Sequence, residues 1–164
     1  MTDTSGNFSA GAEAGRTRTG VSTVPWLGVV QVGLALAGAA VAGYLTWTRL
    51  TGGTPVCIGF GGCDFVQASR FSELFGLPVA LWGLGAYLVL AGLGIAGLLP
   101  GLQNALWLRT ATFGLALAGW LFSMYLTAVE AFVLQAWCVW CVTSAVIISV
   151  LAAVCGIRLF RMPG

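Results

Sequence analysis

Long apolar stretches dominate the pattern of hydrophobic and polar positions in this chain. A helix needs about 20 mostly apolar residues to cross the hydrocarbon core of a bilayer. Stretches of that length occur four times, and they predict transmembrane helices over residues 25–48, 78–99, 106–129 and 138–159. The pattern therefore predicts an all-α integral membrane protein, built as a bundle of four transmembrane helices.

The polar segments predict what surrounds the bundle. Residues 1–23 are small and polar, and we expect a disordered cytoplasmic tail there, before a membrane domain of residues 24–161. The connection over residues 49–77 is long enough to hold structure of its own. From Asp64 to Phe75 its apolar positions favour a short amphipathic helix lying in the membrane interface, with Asp64 capping its start.

The composition agrees with a membrane protein and narrows the chemistry. Charged residues make up 7% of the chain, against about 25% in soluble domains. The net charge of +2 is too small to indicate a nucleic-acid partner. The sequence contains no histidine, the residue that most often serves as a general base or a metal ligand. Cysteine is therefore the redox-active and nucleophilic side chain on which a function can rest.

The arginines predict the orientation of the bundle. With four spans, both termini and the 100–109 loop lie on one side of the membrane. That side carries five arginines, whereas the other carries Arg49 and Arg70; the five are Arg16, Arg18, Arg109, Arg158 and Arg161. Positive residues accumulate on the cytoplasmic side. We therefore expect a multi-pass protein of the cytoplasmic membrane with both termini inside and the 49–77 and 130–137 loops outside.

Four of the five cysteines form two spaced pairs on that predicted outer side, where disulfides persist. Cys57 and Cys63 lie in the long loop, and Cys138 and Cys141 form a CxxC motif at the start of the fourth helix. A CxxC at a helix N-terminus lowers a thiol pKa from about 8.5 to about 3.5–7.5, which favours thiol–disulfide exchange. We expect Cys141, one turn into the helix, to face a lipid-soluble acceptor, and Cys138, nearer the water, to exchange with the loop.

Two other uses of these cysteines remain open at the level of the sequence. The four sulfurs could together bind zinc, or the two pairs could form static disulfides that brace the loop. The C-x5-C spacing is unusual for zinc, and closing so short a loop as CxxC stabilises little, so we favour redox exchange without a metal. Cys155 lies about 21 Å along the helix from Cys141, which predicts a buried apolar residue outside the exchange.

Two motifs follow one another along residues 24–160. The first is Cys63-Asp-x-Val-x-x-Ser69-Arg-x-Ser-x-x-Phe75-Gly-x-Pro78, followed by Gly83-x3-Tyr87, and the second is Cys138-x2-Cys141. In this order and spacing they resemble the bacterial branch of the vitamin K epoxide reductase family. The resemblance implies a four-helix catalytic core in which the membrane CxxC passes electrons to a bound quinone of the menaquinone or ubiquinone type.

The resemblance also implies a role for each site residue. Cys138 and Cys141 correspond to the pair beside the quinone, with Cys141 next to it. Cys57 and Cys63 correspond to the shuttle pair of the outer loop, in which Cys63 exchanges with Cys138 and Cys57 meets the partner. Ser69 corresponds to the hydroxyl residue that family members place near the quinone head group.

The chain departs from the family pattern in two places. Some members carry a tyrosine four residues after the second cysteine of the CxxC, where this chain has Ala145. Bacterial members are often fused to a thioredoxin-like domain, whereas this sequence stops at Gly164. We therefore expect the thioredoxin-like partner to be a separate protein.

The expected function is that of a quinone-dependent thiol oxidase. Such an enzyme reoxidises a thioredoxin-like disulfide donor outside the membrane and so drives disulfide formation in exported proteins. One alternative is a quinone or quinone-epoxide reductase whose useful product is the reduced quinone. A second alternative, of a different class, is a non-enzymatic membrane scaffold with bracing disulfides.

Overall fold

A computed structural model of the chain describes residues 25–57, 62–102 and 105–160. Within these ranges, four helices are long and apolar enough to cross a membrane. They are α1 (Pro25–Leu50), α3 (Val79–Ala96), α4 (Leu106–Ala128) and α5 (Val139–Phe160), and the short helix α2 (Cys63–Ala68) lies in the connection after α1. The predicted four-helix membrane bundle is confirmed, and the predicted tail over residues 1–23 lies outside the described residues.

Small residues set the spacing of the bundle. Helix α1 packs against α3 and α5, and α4 packs against α5. The buried face of α1 carries Ala35, Ala39 and Ala42, which recur at helical spacing. Side chains of this size let membrane helices approach closely. A Cβ atom at Gly38 would overlap the ring of Tyr87 on α3, so that glycine makes room for a buried aromatic side chain.

The third span is longer than the sequence predicts. Helix α4 continues as a π-helical turn over Val129–Leu134, and Gln135 ends it in the left-handed conformation with φ 48°. The predicted outer loop over residues 130–137 is therefore wrong in its first half. The span therefore runs on through Leu134 as a π turn, and Glu130 belongs to the bundle rather than to a loop.

The predicted interfacial helix is shorter than expected. Helix α2 ends at Ala68 because Ser69 adopts an extended backbone conformation. Asp64 lies inside the first turn, the N-cap position belongs to Gly62, and no side chain caps the helix. The prediction that Asp64 caps the start is therefore wrong, since the helix begins one residue earlier than the apolar pattern indicates.

The rest of this connection forms a 3-10 turn and a short β-hairpin instead of a continued helix. A single 3-10 turn over Arg70–Ser72 leads into a two-stranded antiparallel hairpin, β1 (Glu73–Leu74) and β2 (Leu77–Pro78). Its turn residues Phe75 and Gly76 both have positive φ, of 55° and 77°. Two consecutive residues of this kind are typical of a type I′ hairpin turn, which is incompatible with the continued helix that the sequence predicts.

One end of the bundle is held together by long polar side chains. Arg109 Nη1 donates a hydrogen bond of 2.9 Å to the carbonyl oxygen of Arg158. The Arg158 guanidinium donates to Oε1 of Gln31, whose Nε2 donates to the carbonyl oxygen of Leu90 at 3.4 Å. We call Gln31, Arg109 and Arg158 the arginine end. The other end contains the four paired cysteines.

Candidate functional site

The loop cysteines form a disulfide at the end of the bundle opposite the arginine end. Cys57 and Cys63 are bonded to each other, with their Cα atoms 6.2 Å apart. Cys63 is the first residue of α2 and is fully buried. The preceding Gly62 runs against the backbone that enters α5, because a Cβ atom there would lie 2.9 Å from the nitrogen of Trp137. Glycine at this position brings Cys63 close to the CxxC motif.

The CxxC motif lies at the N-terminus of α5 with both cysteines as free thiols. Cys138 directly precedes the helix, and its Sγ accepts a hydrogen bond of 3.4 Å from the backbone N–H of Cys141. Hydrogen bonding from the Cys141 side chain lowers the pKa of the Cys138 thiol below its usual range, although burial opposes this effect. The arrangement favours a Cys138 thiolate, as the sequence suggests for a CxxC at a helix start.

The exposure of the two CxxC cysteines differs from the prediction. Cys138 was expected nearer the water, but it is fully buried, whereas Cys141 is partly exposed. The reason is that the loop folds over the helix start. Cys63, Val66 and Cys138 form one buried cluster, against which Cys57 and Cys141 also pack. The structure therefore brings all four predicted cysteines together.

Two aromatic side chains, Tyr44 and Trp140, hold the segment that leads into Cys57. Trp140, inside the CxxC motif, donates a hydrogen bond from Nε1 to the carbonyl oxygen of Val56 at 2.9 Å. The hydroxyl of Tyr44 accepts one from the Val56 N–H at 3.1 Å, and the Tyr44 and Trp140 rings lie 4.8 Å apart. The sequence does not predict this contact, because nothing in the spacing of Tyr44, Val56 and Trp140 relates them.

A cavity of about 330 Å³ opens beside the CxxC motif, among α1, α3, α4 and α5. Its volume lies within the range of about 300–1,000 Å³ that is usual for small-molecule sites. Cys141 lines this cavity, as does Ser69, and most of the wall is apolar. Trp82 and Tyr87, two aromatic residues of α3, also line it. Both residues that the resemblance places beside a quinone therefore face the same space.

Ser69 is held in place by its own backbone contacts. Its hydroxyl donates a hydrogen bond of 2.7 Å to the carbonyl oxygen of Val66 and so closes the end of α2. A quinone oxygen only accepts hydrogen bonds, so the Ser69 hydroxyl must turn from Val66 towards the cavity to donate to one. The position agrees with the expectation from the resemblance, and the contact with a quinone stays a prediction.

Glu130 is a site residue that the sequence pattern places in the loop after the third span. It is 3% exposed and lines the cavity together with Cys141. Its Oε2 accepts a hydrogen bond of 3.2 Å from the backbone N–H of Cys138, and its carboxylate interacts with the Cys141 side chain. One feature of the sequence could have indicated this role: Glu130 is an acidic residue at the end of a predicted span, eight residues before the CxxC motif. Ionisable residues inside membrane segments are energetically costly and usually functional.

Two further predictions concern metal and the fifth cysteine. Among the described residues, no group of three or more His, Cys, Asp or Glu side chains is arranged to hold a metal ion. Cys155 is buried in the main hydrophobic core, where it packs with Leu151 and Ala152 on α5. This is the buried, apolar environment that the sequence predicts for it.

The comparison with known families covers most of the bundle and both cysteine pairs. The sequence model of the vitamin K epoxide reductase family matches residues 29–155 of this chain. Members of this family carry out thiol–disulfide redox chemistry that is linked to quinones. The match extends from α1 through the loop disulfide and the CxxC motif to Cys155 on α5. With four membrane helices, a loop disulfide and a membrane CxxC beside a cavity, this chain belongs to the vitamin K epoxide reductase family.

Proposed function

We propose that this protein is a quinone-dependent thiol oxidase that reoxidises a thioredoxin-like protein and thereby drives disulfide formation in exported proteins. One observation carries the proposal. Cys63 and Cys138 lie in a single buried cluster, while Cys141, one helical turn later, lines the cavity. The sulfurs thus form a continuous route from the loop to a site that suits a lipid-soluble acceptor.

The relay begins at the loop. A thiolate of the reduced partner attacks the Cys57–Cys63 disulfide at Cys57, which forms a mixed disulfide and releases Cys63. The partner's second thiol then resolves the mixed disulfide, and the partner leaves oxidised. The loop now holds two thiols and the electron pair. Cys57 is the entry point in this scheme because it is less buried than Cys63.

The second exchange passes the electron pair to the helix. The Cys63 thiolate attacks the oxidised CxxC at Cys138, and Cys57 restores the loop disulfide. Cys141 then delivers the pair to the quinone as the CxxC disulfide re-forms. Each exchange before quinone reduction is a thiolate attack on sulfur, so it needs no metal and no histidine. In this scheme, an oxidised loop beside a reduced CxxC is the state that precedes quinone reduction.

The direction of the reaction depends on the acceptor and on the orientation. A strongly oxidising disulfide donor has a reduction potential of about −120 mV, so its reoxidation needs a stronger oxidant, for which a quinone of the menaquinone or ubiquinone type is suitable. Arg109 and Arg158 lie at the end opposite the cysteines, and positive residues favour the cytoplasm. The cysteine pairs then face outward, where the partner and its substrates are oxidised.

Turnover by the purified protein tests the proposal. The protein is placed in lipid discs with a reduced thioredoxin-like donor and a short-chain quinone, and quinol formation is followed together with the thiol state of the donor. We expect one quinol for each donor disulfide formed. Two cysteine pairs that stay oxidised whatever the quinone supply would instead identify a scaffold with bracing disulfides.

Trapping tests the order of the relay. The double variant Cys57→Ser, Cys141→Ser keeps Cys63 and Cys138, which share one cluster, and we expect them to form a disulfide in nearly all molecules. The matched variant Cys63→Ser, Cys138→Ser keeps Cys57 and Cys141 and is expected to stay mainly reduced. Peptide mapping without reductant distinguishes the two, and the opposite result would reject Cys63 as the exchanging cysteine.

A further inference from the structure

Glu130 is a buried acid that the relay of cysteines does not use. It is 3% exposed, and it lies on the π-helical turn at the end of α4. Ionisable side chains in this position are costly unless they are paired or serve a function. Among the described residues that line the cavity, Glu130 is the one that carries a formal charge.

The surroundings of Glu130 connect it to both cysteines of the CxxC motif. Its Oε2 accepts the hydrogen bond from the Cys138 backbone, so one oxygen is held at the start of α5. The carboxylate also interacts with the Cys141 thiol, and both Glu130 and Cys141 line the cavity. A proton acceptor therefore lies beside a reacting thiol, at the wall of the space where the quinone is proposed to bind.

The chemistry of the proposed function needs a proton acceptor at this place. Reduction of a quinone to a quinol takes two electrons and two protons, while a dithiol must lose its protons to become a disulfide. The wall of the cavity is mostly apolar, so it offers few side chains that can carry a proton. The other polar groups of the described lining are hydroxyl, amide and indole groups, which are much weaker bases than a carboxylate.

We propose that Glu130 is a catalytic residue that takes the proton of the Cys141 thiol and passes it to a quinone oxygen. The S–H bond of Cys141 breaks and the Cys138–Cys141 S–S bond forms, while the electron pair passes to the quinone. Because Cys138 reacts as a thiolate, the second proton of the quinol comes from solvent. The inference rests on the proposed function, since it assigns the proton transfer in the same reaction.

The replacement Glu130→Gln separates this role from a structural one. Glutamine keeps an oxygen that accepts the Cys138 N–H but cannot take up a proton, whereas Glu130→Ala loses both properties. Glu130→Asp keeps the carboxylate on a shorter side chain. Glu73→Gln is the matched control, because Glu73 lies at the same end of the bundle, is exposed, and pairs with Arg49.

The test measures the two half-reactions separately in lipid discs. In the first, a reduced thioredoxin-like donor reduces the protein without quinone, and thiol trapping follows the CxxC. In the second, the reduced protein is mixed with a short-chain quinone and quinol formation is followed. We expect Glu130→Gln to slow the second half-reaction by at least about tenfold, a modest loss for a general acid–base group. The first half-reaction of this variant, and both half-reactions of Glu73→Gln, should stay near the wild-type rates.

The outcomes distinguish the two proposals. If Glu130→Gln forms quinol at the wild-type rate while Glu130→Ala is slow, Glu130 only holds the helix start and the inference is overturned. Should Glu130→Gln fail to fold, Glu130→Asp decides: quinol formation near the wild-type rate supports the proton transfer, and its loss in a folded variant overturns it. A wild-type protein that reduces no quinone would reject the proposed function itself.

Discussion

The two ends of the bundle both bury polar groups among apolar helices, yet they satisfy those groups differently. At the arginine end, the Gln31, Arg109 and Arg158 side chains bond to fixed internal partners, and the adjoining space of about 10 Å³ holds at most one water molecule. At the cysteine end, Glu130 and Cys141 face a cavity of about 330 Å³. Buried polar groups whose hydrogen bonds are satisfied by internal partners stabilise the structure. Buried polar groups beside an open cavity can instead take part in a reaction.

The cysteines of α5 show the same contrast within one helix. Cys141 lies at the cavity, while Cys155 packs in the main core on the side of the arginine end. We expect Cys141→Ala to reduce quinol formation to the background rate, because the disulfide of the CxxC can no longer form. Cys155→Ala should keep the wild-type rate and lose about 1 kcal/mol of stability, the usual cost of a small change in a core. Quinol formation and thermal unfolding in lipid discs check both expectations.

This first contrast fails if the two variants behave alike. A severe loss of activity in folded Cys155→Ala would show that the arginine end takes part in the chemistry. Normal turnover by Cys141→Ala would show that electrons leave the relay before the cavity. Either result would remove the distinction between the ends.

Gln31→Leu tests the arginine end itself. The change removes the acceptor that Gln31 presents to the Arg158 guanidinium, and an unsatisfied buried polar group costs about 1–3 kcal/mol, more when it is charged. We expect a lower unfolding temperature and an unchanged rate of quinol formation per folded molecule. A loss of rate without a loss of stability would contradict a purely structural role.

Ser69→Ala tests the cysteine end with a change of similar size. The hydroxyl closes α2 through its bond to Val66 and also lines the cavity, where it can turn to donate to a quinone oxygen. Loss of one hydrogen bond to a quinone, about 0.5–1.5 kcal/mol, raises KM for the quinone by roughly twofold to tenfold. The value of kcat should change little, and steady-state kinetics with a short-chain quinone measure both. An unchanged KM would remove Ser69 from the quinone site.

The smallest effect expected is a shift in the titration of Cys138. Since its pKa lies below the usual range, the thiolate is present above that lower pKa and is lost as the pH falls through it. In a background without the other cysteines, Cys141→Ser keeps a side-chain donor, whereas Cys141→Ala loses it. We expect the titration midpoint, followed by thiolate absorbance, to be higher in the alanine variant. Equal midpoints would show that the Cys141 side chain does not stabilise the thiolate.

The sequence predicted the membrane spans more accurately than the structure between them. Hydropathy is additive over a segment, and the prediction of a membrane helix over residues 106–129 agrees closely with helix α4 (Leu106–Ala128). The helix expected from Asp64 to Phe75 ends at Ala68 instead. The outcome there depends on backbone conformations at Ser69, Phe75 and Gly76, which an apolar pattern does not encode.

What the sequence determined by itself is the bundle class, the two cysteine pairs and their resemblance to a redox family, since these follow from local composition and spacing. Only the tertiary structure decided that α2 covers Cys138, that Trp140 holds Val56, and that Glu130 faces Cys141. Each of these contacts joins segments far apart in the chain or depends on an irregular helical turn. The geometry of these contacts depends on how the helices pack, so it cannot be inferred from any single residue in the sequence.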